Sequence, residues 1–254
     1  MHTKSRLGEL FVELQKERDN FRKMCSEQNS GIKEVRDYSS RMASILEQAL
    51  SKSRVVKDNC FLARVGGFGR GELSFYSDLD LLFLYRKSLS RKKKDFVREL
   101  VSGLWDSGFE VGHSVISVSG LNRLSRNDFS VFTTNLTPEF IFGEKGFYNF
   151  WKDGFIREIG PRQKKRLLKK VLEYRNARYR QYGNSIYMLE PNIKGGLGGL
   201  RDIHSLRWIG VLNCYSSDFR DMVLAGWLDN TEKQWLESAE DFLWKVRLQL
   251  HKLL

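Results

Sequence analysis

Val65-Gly-Gly-Phe-Gly-Arg-Gly-Glu-Leu-Ser-Phe-Tyr-Ser-Asp-Leu-Asp-Leu-Leu-Phe-Leu-Tyr85 is the stretch on which the reading of this chain turns. It begins at the close of an apolar strand, Phe61 to Val65. Gly66, Gly67, Gly69 and Gly71 then make a glycine-rich turn, and Asp78 and Asp80 stand at the start of a second apolar run. Residues two apart on a strand point to the same face, so the two carboxylates project together from one edge of a sheet. Side by side they repel each other unless a cation sits between them. Mg2+ takes oxygen ligands and keeps substrate phosphates as further ligands. Glycine lets backbone N–H groups approach a phosphate chain. A phosphate cradle beside a metal-binding acid pair is the equipment of nucleotidyl transfer.

Working outward, the pattern predicts strands over 59–65, 79–85 and 109–118. Between the second and third lies a helix with the apolar stripe Phe96, Val97, Leu100, Val101, Leu104 and Trp105. Gly108 stands where a helix C-terminal cap belongs. This order predicts a mixed sheet with packed helices over residues 55–125. Residues 1–54 read as two helices broken at Gly31, with Leu7, Leu10, Leu14 and Phe21 at helical spacing. From Leu121 onward the chain reads as all-helical, so 126–254 is assigned to a helical domain. A long helix starts at Pro161. A second glycine loop, Lys194-Gly-Gly-Leu-Gly-Gly199, precedes a helix from Leu200. The last helix carries a capping-box pattern at Thr231 to Gln234 and the stripe Trp235, Leu236, Ala239, Phe242, Leu243, Val246 and Leu250. The fold class is α+β.

Composition narrows the function classes. An apolar content of 41 % in 254 residues marks a globular chain. The three cysteines, Cys25, Cys60 and Cys214, lie far apart, which argues against a disulfide framework or zinc site and fits a cytoplasmic setting. No apolar run reaches the ~18 residues that span a bilayer. Lys and Arg outnumber Asp and Glu by 43 to 31, a net charge of +12 that suits polyanionic partners. Many soluble proteins are basic without using their charge, so charge alone decides little.

The glycine pair, spacer and Ser77-Asp-Leu-Asp80 resemble the DNA-polymerase-β-like nucleotidyltransferase superfamily. The longer string Gly66 to Leu84 is more specifically similar to the bacterial PII uridylyltransferases of the GlnD type. Three later segments carry the same resemblance: Val111-Gly-His-Ser-Val115, Leu189-Glu-Pro-Asn-Ile-Lys-Gly-Gly-Leu-Gly-Gly-Leu-Arg-Asp-Ile-His204, and Phe242-Leu-Trp-Lys-Val-Arg-Leu-Gln-Leu-His251. The resemblance spans about 55–254. It implies a polymerase-β-like core flanked by helices, and transfer of UMP from UTP to a tyrosine of the PII signalling protein with release of pyrophosphate. Gly66 and Gly67 would hold the triphosphate, and Asp78 and Asp80 would ligate Mg2+. A third carboxylate is usual in the superfamily, and Glu110 is the candidate; its plainer alternative is an exposed glutamate at a strand end.

The remaining candidates keep two readings each. Arg70 pairs with a phosphate through its planar fork or with Glu72. Ser77 donates to a phosphate or caps the turn. Lys194 and Arg201 flank a glycine loop at a helix N-terminus, which suits an anion or is simply a tight turn. His113 reads as a packed histidine. Tyr174, Tyr179, Tyr182 and Tyr187 could stack a base, though packing is the plainer reading. The chain departs from the family at Ile116, where an arginine is usual, at Phe75 and Leu197, where proline is usual, and at Gly195, where an acid is usual. Full-length family members continue into an HD-type domain that removes UMP and paired ACT domains that sense glutamine. With histidines only at positions 2, 113, 204 and 251 and no His-Asp pair, the uridylyl-removing activity is not expected in this truncated chain. Two rival expectations stand: a catalytically silent domain that binds PII or nucleotide, and an RNA-directed nucleotidyltransferase. Nucleic acid is the less expected partner.

Overall fold

The computed structural model describes residues 2–27, 29–51, 58–182 and 192–253. The chain divides into two compact units, Met1–Asp153 and Gly154–Leu254. Among the described residues there are eleven helices and one four-stranded mixed sheet, an α+β fold.

The first unit opens with α1 (His2–Glu27) and α2 (Ile32–Ser51). Their predicted apolar faces meet: Leu7, Leu10, Leu14 and Phe21 of α1 are buried, and the Phe21 ring stacks on Tyr38 of α2 at 4.1 Å. Strand β1 (Cys60–Arg64) follows, then the one-turn helix α3 (Gly66–Gly69), β2 (Leu81–Tyr85), α4 (Arg91–Asp106) and β3 (His113–Ser117). Each strand is shorter than the sequence predicts and sits inside the predicted span. Burial of Phe96, Val97, Leu100, Val101 and Leu104 holds α4 in place, and Gly108, at φ +74°, ends it. Trp105 departs from its predicted inward stripe: it is half exposed, with its ring edge-on to His113 at 5.5 Å.

The unit continues through α5 (Val118–Asn127), α6 (Phe129–Thr134), β4 (Glu139–Gly143) and α7 (Lys145–Arg157). The sheet order is β3-β2-β1-β4. Strand β4 corrects the expectation that everything beyond Leu121 is helical. Its Phe140-Ile-Phe142 core is a β-favouring triplet behind Pro138, and it pairs antiparallel with β1 from Phe61 to Arg64. The sheet thus draws a strand from beyond residue 125. On one face of the sheet, Phe61 meets the rings of Phe147, Tyr148 and Trp151 from α7 at 5.1–5.5 Å.

The second unit holds α8 (Pro161–Tyr182), α9 (Leu200–Cys214), α10 (Phe219–Leu224) and α11 (Asn230–Lys252). Helix α9 packs against the other three. The predicted stripe of α11 is misplaced: Trp235 and Phe242 are exposed, whereas Glu240, Trp244 and Leu248 are buried. Glu240 is buried because Arg207 of α9 reaches it at 2.7 Å. The observed capping box joins Asp229 to Glu232 rather than starting at Thr231. Leu172 of α8, predicted to face inward, is exposed, while Leu167 and Val171 are buried.

Near the end of α11, burial and then the charges of Arg247 and Lys194 press the His251 imidazole down to about 4. It is therefore neutral in the folded chain at neutral pH. Unfolding frees it to bind a proton once the pH falls below its ordinary 6.5. The stability this contributes is complete above that value and disappears as the pH falls toward 4. Discounted for partial solvent screening, the effect is on the order of 1–2 kcal/mol. Urea midpoints compared between pH 7 and pH 4.5 should fall more for the native chain than for His251→Gln.

Candidate active site

The sheet register brings the acids together. Arg64 of β1 pairs with Leu81 of β2, and Leu81 pairs with His113 of β3. One step beyond this row, Val65 donates its N–H to the Asp80 carbonyl at 3.0 Å, and Leu81 donates to the Gly112 carbonyl at 2.8 Å. Two residues further out, Leu79 donates to the Glu110 carbonyl at 2.8 Å. Parallel register therefore sets Asp80 level with Gly112 and Asp78 level with Glu110. Side-chain alternation turns all four to one face. The carboxylates that the sequence places on two separate segments thus gather at the end of the sheet where the glycine turn also lies.

Asp80 is held in a gap between two glycines. A Cβ built on Gly66 would strike its Oδ2, and one built on Gly112 would strike its Oδ1. Gly66 also has φ +57°, a left-handed conformation that glycine adopts without strain. The absence of a side chain at Gly112 makes the space that the Asp80 carboxylate occupies. Asp78 and Glu110 share a hydrogen bond. That bond, and then the Asp78 charge, push the Glu110 carboxyl above its ordinary range.

As they stand, no three Asp, Glu, His or Cys side chains among the described residues converge to hold a metal ion. The reason is visible in the two arrangements just given: Asp78 and Glu110 turn toward each other, and Asp80 lies in its glycine gap. The donor set nevertheless fits a hard cation in chemistry. It is made of carboxylate oxygens, and its paired acids carry the repulsion that a cation relieves.

Arg70 pairs with Glu72 at 2.9 Å, both side chains nearly buried, so its second sequence reading is the one observed. Ser77 accepts the Ser74 N–H at 3.0 Å, closing the turn that carries Asp78. Ile116 lies on β3 and packs toward α5, where a Cβ on Gly120 would come within 2.9 Å of it. His113 is exposed on β3, contrary to the packed histidine expected from sequence.

Lys194 and Arg201 belong to the second unit. The glycine loop there is closed on itself. Asn192 Oδ1 accepts from the N–H groups of Lys194 and Gly195 at 3.1 and 2.7 Å, and Asp202 accepts from Gly198 at 2.8 Å. The loop N–H groups named are thus engaged within the turn. Asp202 also bonds Arg178 and accepts from the Tyr179 hydroxyl at 2.7 Å. Arg178 escaped the sequence reading, since a lone arginine in a basic helix looks like a solvated charge. Tyr187 and the start of the second glycine block lie outside the described residues.

Residues 166–253 match the GlnD PII-uridylyltransferase family. A bifunctional uridylyltransferase/uridylyl-removing enzyme of Rhodospirillum rubrum is 36% identical over 206 residues, which is 79% of this chain. One of the same description from Novosphingobium aromaticivorans is 32% identical over 203 residues, 80% of this chain. The chain is similar to the GlnD-type uridylyltransferases over these spans. It spans 22% of the length of each of these two relatives. A match of 203 residues within 254 necessarily takes in the glycine turn, the three acids and the second glycine loop. The likeness to the GlnD-type proteins therefore covers both units. No helix among the described residues is long and apolar enough to cross a membrane.

Proposed function

We propose that the chain transfers UMP from UTP to a tyrosine of a PII signalling protein and releases pyrophosphate. The observation that carries this reading is the gathering of Asp78, Asp80 and Glu110 beside the Gly66 turn at one end of the sheet. The uridylyl part of the reading comes from the similar proteins and the matching family, and the PII part from the family alone.

In this reading Asp78, Asp80 and Glu110 would hold Mg2+. Bound there, it would neutralise triphosphate charge as the leaving group departs. The chain's own residues do the rest. Gly66 and Gly67 let the backbone approach the triphosphate without a side chain in the way. Arg70 is tied to Glu72 and braces the turn; Ser77 fixes the approach to Asp78. The acceptor tyrosine oxygen bonds to the α-phosphorus while the bond to pyrophosphate breaks. Glu110 receives the phenolic proton. Lys194 and Arg201 are assigned to phosphate contact.

A second reading keeps the same site without turnover. It is favoured by one observation: Ile116 stands where the resemblance leads one to expect an arginine. One experiment separates the two. The full chain, Mg2+, a PII protein and α-labelled UTP are incubated together, and label on PII is counted. Labelled PII supports transfer. UTP binding by calorimetry with no label on PII supports the silent domain.

A further inference from the structure

The helical unit contains a cavity of about 330 Å³, lined in part by the two basic residues assigned above to phosphate contact. Arg178, Lys194 and Arg201 line it together with Tyr174, Tyr182 and Asn192, and no acidic residue is among its described lining. A cavity of this size is at the lower end for small-molecule sites. Its most informative member is Arg178, whose side chain is only 4% exposed. One of its terminal nitrogens bonds Asp202, but Nε and Nη1 have no hydrogen-bond partner. Buried donors without partners are costly and rare, more so on a charged group. Asp202 gives Arg178 only one oxygen, since its other oxygen takes the Tyr179 hydroxyl and the Gly198 N–H.

Open guanidinium donors on a buried arginine suit an oxyanion such as phosphate. Lys194 and Arg201 line the same cavity and add positive charge to it. We propose that this cavity is a binding site for a phosphate-bearing small molecule, with Arg178 as its anchor and Lys194 and Arg201 as flanking charges. Tyr174 and Tyr182 form apolar walls on which a nucleoside would rest. The site stands on the helical unit alone. It does not depend on transfer at the acids of the first unit, although it gives Lys194 and Arg201 a defined partner in Arg178.

The test uses the full 15N-labelled chain in EDTA, so that divalent-cation-dependent nucleotide binding elsewhere does not contribute. It is titrated with UMP, inorganic phosphate and uridine, and the Arg178 Nε–H resonance is followed. UMP and inorganic phosphate should both move that resonance, and uridine should not. Tighter binding of UMP than of phosphate identifies a nucleotide source; equal affinity identifies the free anion. Arg178→Gln should weaken binding at least about tenfold. Because that change also breaks the bond to Asp202, the double variant Lys194→Gln/Arg201→Gln is measured beside it, with the same expectation and Arg178 untouched. A silent Arg178 resonance at millimolar UMP and phosphate overturns the proposal. So does a response to uridine alone, or full affinity in the double variant.

Discussion

Asp80→Asn is expected to abolish nucleotidyl transfer and leave the fold standing. Asparagine has the same shape, so the gap between Gly66 and Gly112 stays filled. The backbone bonds on either side, from Val65 to the Asp80 carbonyl and from Leu81 to the Gly112 carbonyl, do not involve the side chain. What disappears is one negative charge at the centre of the acid cluster. Loss of an outer-shell partner in a metal site typically costs about 10–100-fold, and loss of a ligand should exceed that. The transfer assay on PII gives the rate, and thermal melting by circular dichroism checks the fold. Undiminished label on PII would remove Asp80 from the chemistry.

Gly112→Ala should be nearly as damaging to activity and almost silent in stability. The added methyl lands on Asp80 Oδ1, so either the carboxylate or the strand must move. Misplacing a reacting group by about 1 Å can cost roughly a hundredfold in rate. The Gly112 backbone lies outside the left-handed region, so alanine brings no conformational strain there. Gly66→Ala strikes the same carboxylate from the opposite side but does so at φ +57°, adding about 1–2 kcal/mol of backbone strain. The pair of variants therefore separates steric displacement from instability. A fast Gly112→Ala enzyme would mean that the position of Asp80 is not set by this gap.

Much of the site is legible in the sequence because its parts are local. The glycine turn, the Asp78–Asp80 spacing and the apolar run behind them lie within one continuous stretch, and period-two alternation is enough to place them. Glu110 was found only because the third strand could be anticipated beyond α4 and Gly108. What the sequence hides is pairing. Nothing in the residues states that Asp78 would be level with Glu110, or that Gly112 makes room for the Asp80 carboxylate. Strand β4 was missed because a short aromatic run supports strand and helix almost equally. The α11 stripe was misread for another reason. Glu240 is buried against Arg207, and an ion pair inside a helical unit reverses the usual sign of a polar residue in a periodic pattern. Arg178 and its open donors depend on a partner far along the chain, Asp202, and no local pattern marks them.

The parallel pairing of β2 with β3 has a consequence for how the protein acquires its site. Strands β1 and β2 are antiparallel neighbours, but β3 reaches β2 only after α4 has crossed over. Contacts between segments far apart in sequence carry the larger loop-closure cost and are the slower to form. Asp78 and Asp80 can be in place on a nascent chain before Glu110 and Gly112 arrive beside them. The level placement of Asp80 with Gly112 and of Asp78 with Glu110 therefore waits until the Leu79 and Leu81 amides find the Glu110 and Gly112 carbonyls. A chain that has not closed this pairing carries the acids without the gap that positions them.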